Sequence, residues 1–223
     1  FTYFPLWAKG PACAIALNHS GLEWEGANQG DWKGELKQKT PFRELPVLEI
    51  PGIGMIGHEI AILNYIGSKV PEMAGASEKD FVVSQQLLQQ GEDIYQNLRR
   101  HKEVTPEEFD AFWAAGDPTV HCRFFGMPVS LMCLEEFYAA CAAGEGKFTA
   151  SGKTVGECKV WSMLHALKLI DDSVLASYPG LTAFYTAFGS DAKVQEILET
   201  GGKMPQPFGQ YFKRPEPAAA TSS

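Results

Sequence analysis

The pattern of the chain changes once, near residue 67. Up to that point apolar runs of three or four residues alternate with helix-length patterns, and beyond it helical periodicity continues almost to the C-terminus. Short strands need partners beside them and a layer over one face, so the first part specifies a small α/β lobe and the remainder an all-α lobe. The expected fold class is α/β plus all-α. Residues 1–67 form the first domain, 68–76 a linker with Pro71 and Gly75, and 77–223 the helical domain, irregular from about 201.

Within the first lobe, residues 1–4 read as a strand. Pro11 stands where a first helical residue belongs, Ala14, Ile15 and Leu17 form an apolar stripe, and Gly21 is the stop. Residues 22–25 read as a second strand and 31–39 as a short helix. Runs at 47–50 and 54–56, separated by Pro51-Gly52, predict an antiparallel hairpin, and 59–67 a closing helix. In the second lobe, 77–101 is one long helical pattern with Phe81, Leu87, Leu88, Ile94, Tyr95 and Leu98 on its apolar side. Residues 105–119 are less regular, broken by Gly116 and Pro118, and 127–141 is helical again. Thr154 and Glu157 have capping-box spacing and open a helix through Trp161, Leu164, Leu167 and Ile170. The Pro-rich tail packs only as far as Phe212, and there is no internal repeat.

Composition excludes several classes. At 223 residues and 45% hydrophobic, the chain can bury a core without disulfides or a metal, and no apolar run nears the length of a membrane span. Nineteen Lys and Arg against 27 Asp and Glu give a net charge of −8, which repels a phosphate backbone unless a basic stripe is segregated; none is present, so nucleic acid is not a partner. Arg99, Arg100 and Lys102 read as a cationic helix C-terminus.

The five cysteines, Cys13, Cys122, Cys133, Cys141 and Cys158, match neither a CxxC pair nor a common zinc spacing, and a reducing compartment is the simple reading. His19, His58, His101, His121 and His165 show no metal-ligand spacing, so no metal is expected. The first residue, Phe1, lies inside a strand pattern. The expected location is the cytoplasm, or an organelle after removal of a targeting segment.

Several strings together resemble one family. Thr2-Tyr3-Phe4 in the first strand, the stretch from Gly30 to Lys37 with Trp32, Pro41-Phe-Arg-Glu-Leu-Pro-Val-Leu-Glu49 and Gly57-His-Glu-Ile-Ala-Ile-Leu-Asn-Tyr65 closely resemble the cytosolic glutathione transferases, nearest the tyrosine-type sigma and mu classes. Gln90 to Tyr95 looks like the family's dimer-facing helix, and Thr154 to Trp161 like its helix-six capping motif with Glu157 in place of Asp. The resemblance spans nearly the whole chain. It implies a thioredoxin-like N-terminal domain and a helical-bundle C-terminal domain, in agreement with the element order read above.

It also implies roles. Tyr3 matches the tyrosine whose hydroxyl donates to glutathione sulfur, and a thiol of pKa ~8.5 needs such a donor to become thiolate at neutral pH. Pro46 matches a cis-proline that lets Leu45 pair its backbone with the bound peptide. Trp32 and Lys37 match positions that grip the glycine carboxylate, and Asp93 an acidic residue supplied by a neighbouring subunit. Leu6, Trp7, Tyr95 and Trp113 match a pocket for an apolar co-substrate. Lys9 stands loosely where an arginine is common, and Cys13, inside the helix after Pro11, reads as a buried thiol rather than a nucleophile.

The departure is at His58-Glu59. The family has Gln-Ser or Glu-Ser there, with the serine and helix N–H groups holding the γ-glutamyl carboxylate. Glu59 brings a second negative charge to that seat. At ~4 Å and an effective dielectric of about 20 the repulsion is roughly 4 kcal/mol, on the order of a thousandfold in affinity, unless the side chain rotates outward and the backbone N–H groups suffice or a protonated His58 compensates the charge. Two functions are therefore open. One is a dimeric glutathione transferase, with glutathione as co-substrate, that conjugates the thiolate to apolar electrophiles; a glutathione-dependent isomerase would use the same residues. The other is a non-catalytic subunit that keeps the fold and docks to a larger assembly. If Glu59 blocks the seat, binding improves as pH falls towards 5.

Overall fold

The computed structural model describes residues 1–114 and 126–216. Thr2–Tyr3 (β1), Leu6–Trp7 (β2), Gly10–Ser20 (α1), Ala27–Asn28 (β3), an irregular helical turn at Trp32–Leu36 running into Lys37–Lys39 (α2), Val47–Ile50 (β4), Gly54–Gly57 (β5) and Glu59–Lys69 (α3) make the first lobe. Its sheet has the order β3-β1-β4-β5, with β1 parallel to β3 and antiparallel to β4. The hairpin is as expected, with Val47 opposite Gly57 and Ile50 opposite Gly54. Gly21 closes α1 in the left-handed conformation.

The strand expected at 22–25 is absent. The ladder with β1 takes in only Ala27 and Asn28, whereas Trp24 of the 22–25 segment packs its ring edge-on to Phe1. Its alternation of apolar and acidic residues reflects one buried tryptophan between exposed glutamates. The linker is also more ordered than expected, because α3 extends to Lys69 and Pro71–Ala74 (α4) forms a further turn with proline at its start.

Glu78–Arg100 (α5) starts at Ser77, whose side chain caps the Asp80 N–H. It buries Val83, Leu87, Leu88, Gly91, Ile94 and Leu98 along one stripe. Phe81 lies off that stripe and is 47% exposed, contrary to its expected place in the core. Pro106–Ala114 (α6) covers the described part of the irregular helix; His121 and Cys122 lie outside the described residues. Met127–Cys141 (α7), Val155–Ile170 (α8), Pro179–Gly189 (α9) and Ala192–Thr200 (α10) follow. Gly209–Gln210 (β6) then returns to pair in parallel with β2, and Phe208 and Phe212 are buried.

α8 is the hub. It packs against α1, α3, α5 and α9, and it is buried on almost every side, so the helical lobe and the α/β lobe share one hydrophobic core. The capping box at its start is complete: the Glu157 N–H donates to Thr154 Oγ1 at 3.3 Å, while the Glu157 carboxylate accepts from the Thr154 N–H at 2.9 Å.

Candidate functional site

Tyr3 is carried by β1 to the N-terminus of α1. Its ring lies between Phe1 and Phe4, and its hydroxyl oxygen accepts the Lys9 backbone N–H at 3.0 Å. Glycine at position 10 makes this possible: a Cβ there would stand 2.0 Å from Tyr3 Cδ1. Burial pushes the phenol well above its ordinary pKa, against the lowering effect of the Lys9 N–H, so at neutral pH Tyr3 keeps its proton and can donate it in a hydrogen bond while its oxygen accepts from Lys9. Among the described residues no acceptor takes that proton.

From Tyr3 the aromatic contacts run to Phe4 and on to Trp32, whose rings meet edge-to-face at 5.6 Å. Trp32 is half-buried in the irregular turn, and Lys37 on α2 is exposed. The Leu45-Pro46 peptide is cis and leads into β4. Asp93 is half-buried on α5 and accepts from Gln89.

α3 begins with His58 at φ +65°, a conformation that few residues other than glycine adopt. Its ring stacks on Phe42 at 4.5 Å and leaves the first turn of α3 without a side-chain cap. Helix N–H groups left in this way favour an anion.

Of the two orientations left open for Glu59, its carboxylate takes the one that leaves that seat. It turns into the core, 1% exposed, where Oε2 accepts from Lys159 Nζ at 2.6 Å. Lys159 is itself fully buried and reaches Glu92 at 3.3 Å; Glu92 binds Lys9 at 2.7 Å. The result is an alternating row of charges, Glu59, Lys159, Glu92 and Lys9, joining α3, α8, α5 and the start of α1. Gly91 leaves the groove for the Lys159 stem, since a Cβ there would lie 2.6 Å from its Cγ. Burial pushes the Glu59 carboxyl up against the opposing pull of Lys159. Burial also acts to raise Glu92, but the ammonium groups of Lys159 and Lys9 together with Gln96 outweigh it and hold Glu92 below its ordinary value.

Sequence reasoning missed Lys159, and it named Glu92 only beside Asp93, as part of an acidic position serving a neighbouring subunit. The available signal was a lysine among positions apolar on all sides of the 154–170 helix, where a charge needs a buried counter-charge.

The four expected pocket residues are dispersed. Trp7 is 2% exposed, packed against Trp161, His165 and Phe208, with its indole N–H on the Ser162 carbonyl, so it belongs to the core rather than to a pocket wall. Leu6 is half-buried in β2 beside Gly209. Trp113 stacks on Phe109 and donates to Asp171. Only Tyr95 stands beside the charge row, its ring 4.6 Å from Lys9 Nζ and 5.5 Å from Lys159 Nζ. An open cleft of about 1140 Å³ lies elsewhere, around Phe1, Trp24, Leu48, Ile50 and Tyr65.

Cys13 is enclosed, and burial pushes its thiol well above the ordinary value, which leaves it a poor nucleophile. Among the described residues no three His, Cys, Asp or Glu side chains gather as a metal set, and no helix is long and apolar enough to cross a membrane.

This arrangement, a phenol at the start of α1 and an uncapped α3 N-terminus after a cis-proline, occurs in a fold shared with known proteins. No family model matches the chain. It is 28% identical over 184 residues to Glutathione S-transferase 1 of Ascaris suum, covering 81% of this chain and 80% of that protein. Among solved structures it resembles the Pi-class glutathione S-transferase of Onchocerca volvulus, with TM-score 0.73 and 18% identity over 87% of this chain and 89% of that one. It also resembles monomeric Na-GST-3, a glutathione S-transferase of the hookworm Necator americanus, with TM-score 0.67 and 17% identity over 87% of this chain and 93% of that one. The fold is that of the glutathione transferases, a thioredoxin-like lobe followed by a helical bundle.

Proposed function

We propose that the chain is a tyrosine-type glutathione transferase, sigma- or mu-like in its chemistry, that adds the glutathione thiolate to apolar electrophiles. The observation that carries this reading is Tyr3, a neutral phenol whose oxygen already receives a backbone N–H and whose proton is free to be donated. Donated to the glutathione sulfur, that hydrogen bond favours thiolate over thiol. The thiolate then forms the new carbon–sulfur bond, the leaving group departs with the bonding pair, and the thiol proton passes to solvent. Trp32 and Lys37 hold the glycine carboxylate, Leu45 beside Pro46 pairs with the peptide backbone, and the α3 N-terminus with His58 receives the γ-glutamyl carboxylate. Tyr95, Leu6 and Trp113 are assigned to the co-substrate side.

The test is calorimetric titration of glutathione, followed by turnover of a chromogenic aryl halide. Sub-millimolar binding is expected, and Tyr3→Phe lowers kcat by about 10- to 100-fold while changing affinity little, the worth of one hydrogen bond to a charged group. Absence of binding would favour the second reading, a transferase-like interaction subunit.

A homodimer is part of the proposal. Phe42 is 60% exposed beyond its stacking on His58, and Phe81 and Val82 are each nearly half exposed on α5, which leaves apolar surface in water. Asp93 would then serve the partner's site. Sedimentation velocity checks it: Phe42→Ser should shift a dimer towards monomer. The unpaired buried thiols of Cys13 and Cys158 fit a reducing compartment such as the cytoplasm.

A further inference from the structure

A transferase of this design needs a seat for a ligand carboxylate at the start of α3, and here the first residue of that helix carries the same charge as the ligand. The structure removes the conflict in a way that the first lobe alone could not. Lys159 enters from α8, a hundred residues away in sequence, and takes the Glu59 carboxylate at 2.6 Å in a space from which both side chains exclude solvent. Gly91 on α5 provides the room for the lysine stem. Glu92 and Lys9 extend the row so that each inner charge has an opposite neighbour. We propose that Lys159 is a positioning residue for ligand binding: it withdraws the Glu59 charge from the α3 N-terminus and so leaves the helix N–H groups able to receive the γ-glutamyl carboxylate.

The inference rests on the glutathione reading above and names what makes that reading compatible with Glu59. Its physical basis is the asymmetry of buried charge. A carboxylate with its counter-ion removed cannot remain ionised in the core; it either takes a proton or moves to water and N–H donors. The Glu59 carboxylate has little else to hold it. Oε1 has no hydrogen-bond partner among the described residues, so the lysine is the one strong contact of the side chain. The nearest alternative is the uncapped first turn of its own helix. The groups around Glu59 are Lys159 from α8, Glu92 and Tyr95 from α5, Lys9, Cys13 and Tyr3 from the first lobe, and His58 beside it in sequence. Burial already pushes its carboxyl upward with Lys159 present, and loss of the ammonium pushes it further in the same direction.

The experiment titrates S-methylglutathione, whose sulfur cannot ionise, into the unmodified protein, Lys159→Met and Lys159→Met/Glu59→Gln at pH 7.5 and pH 5.5. Comparing each variant with the unmodified protein at the same pH cancels any pH dependence that the variants share with it. At pH 7.5 Lys159→Met should bind about tenfold or more weaker, because the freed carboxylate opposes the ligand. At pH 5.5 the deficit should be smaller than at pH 7.5, because an anionic ligand beside Glu59 favours its protonated form, and the double variant should recover most of the affinity at both pH values. A general packing defect would weaken binding at both pH values and would not be rescued by Glu59→Gln.

A deficit that is equal at both pH values, or absent, in a chain that otherwise binds the peptide overturns the role of Lys159 alone. If the unmodified protein fails to bind, the glutathione reading falls and this inference with it. Should Lys159→Met not fold, the Glu59 side-chain carboxyl ¹³C resonance of the unmodified protein decides: unchanged on saturation with ligand, the carboxylate stays withdrawn; shifted, it does not.

Discussion

The Lys9 backbone N–H donates to the Tyr3 hydroxyl across 3.0 Å, so the residue that opens α1 also fixes the phenol at the end of β1. The contact is close because position 10 has no side chain. In Gly10→Ala the added methyl would meet three ring atoms at 2.0 to 2.6 Å, and either the ring or the helix start must move. We expect a loss of about 1–3 kcal/mol in stability and a fall of about tenfold or more in kcat. The affinity for glutathione should change much less. Equal losses in kcat and affinity would mean that the ring and the peptide seat are not separable.

Glu157 is buried without a cation partner among the described residues, and its carboxylate is satisfied by hydrogen-bond donors. It accepts from the N–H groups of Phe148, Thr149 and Thr154 and from the hydroxyls of Thr149 and Thr154, at 2.7 to 3.1 Å. Glu157→Ala should cost about 3–5 kcal/mol by leaving these donors buried and unpaired, and Thr154→Ala about 1–2. Urea denaturation midpoints measure both, and a Glu157→Ala midpoint close to that of the unmodified protein would contradict this account of the cap.

His165 and His19 give the stability an acid limb. Burial pushes each imidazole down to about 4, and His165 Nδ1 lies 2.7 Å from the Tyr185 hydroxyl. Because the folded value is below the unfolded one near 6.5, the contribution is present above pH 6.5 and is lost as pH falls towards 4. Each histidine should account for on the order of 2 kcal/mol. The melting temperature should therefore drop between pH 6.5 and pH 4, and His165→Phe should flatten part of that slope. An unchanged slope would mean that the ring is not held neutral.

Much of the fold was legible because its signals are local. Thr154 caps the helix it was expected to cap, Pro11 and Gly21 bracket α1, and α7 runs from Met127 to Cys141 as the pattern required. The misreadings concern relations between distant residues. A strand of two residues, Ala27–Asn28, exists only by virtue of β1, and no periodicity marks it. Phe81 is apolar yet exposed, because its place on α5 falls outside the stripe that meets α8. The direction of Glu59 depends on Lys159, so its neighbours His58 and Ile60 carry no information about it. Trp7 has the same character: its place in the core is set by Trp161, His165 and Phe208.

The pairing of β2 with β6 places Leu6 against Gly209 and Trp7 against Gln210. A ribosome releasing this chain exposes the first of these strands long before it has made the second, and α1 likewise waits for α8 and α10. The opening lobe is therefore completed only after residue 210 has been made, and the closing contacts have high sequence separation, which slows folding. A nascent chain stalled before residue 208 carries an unmatched strand edge next to a tryptophan that still lacks Phe208, the kind of surface on which chains associate with one another or are held by chaperones.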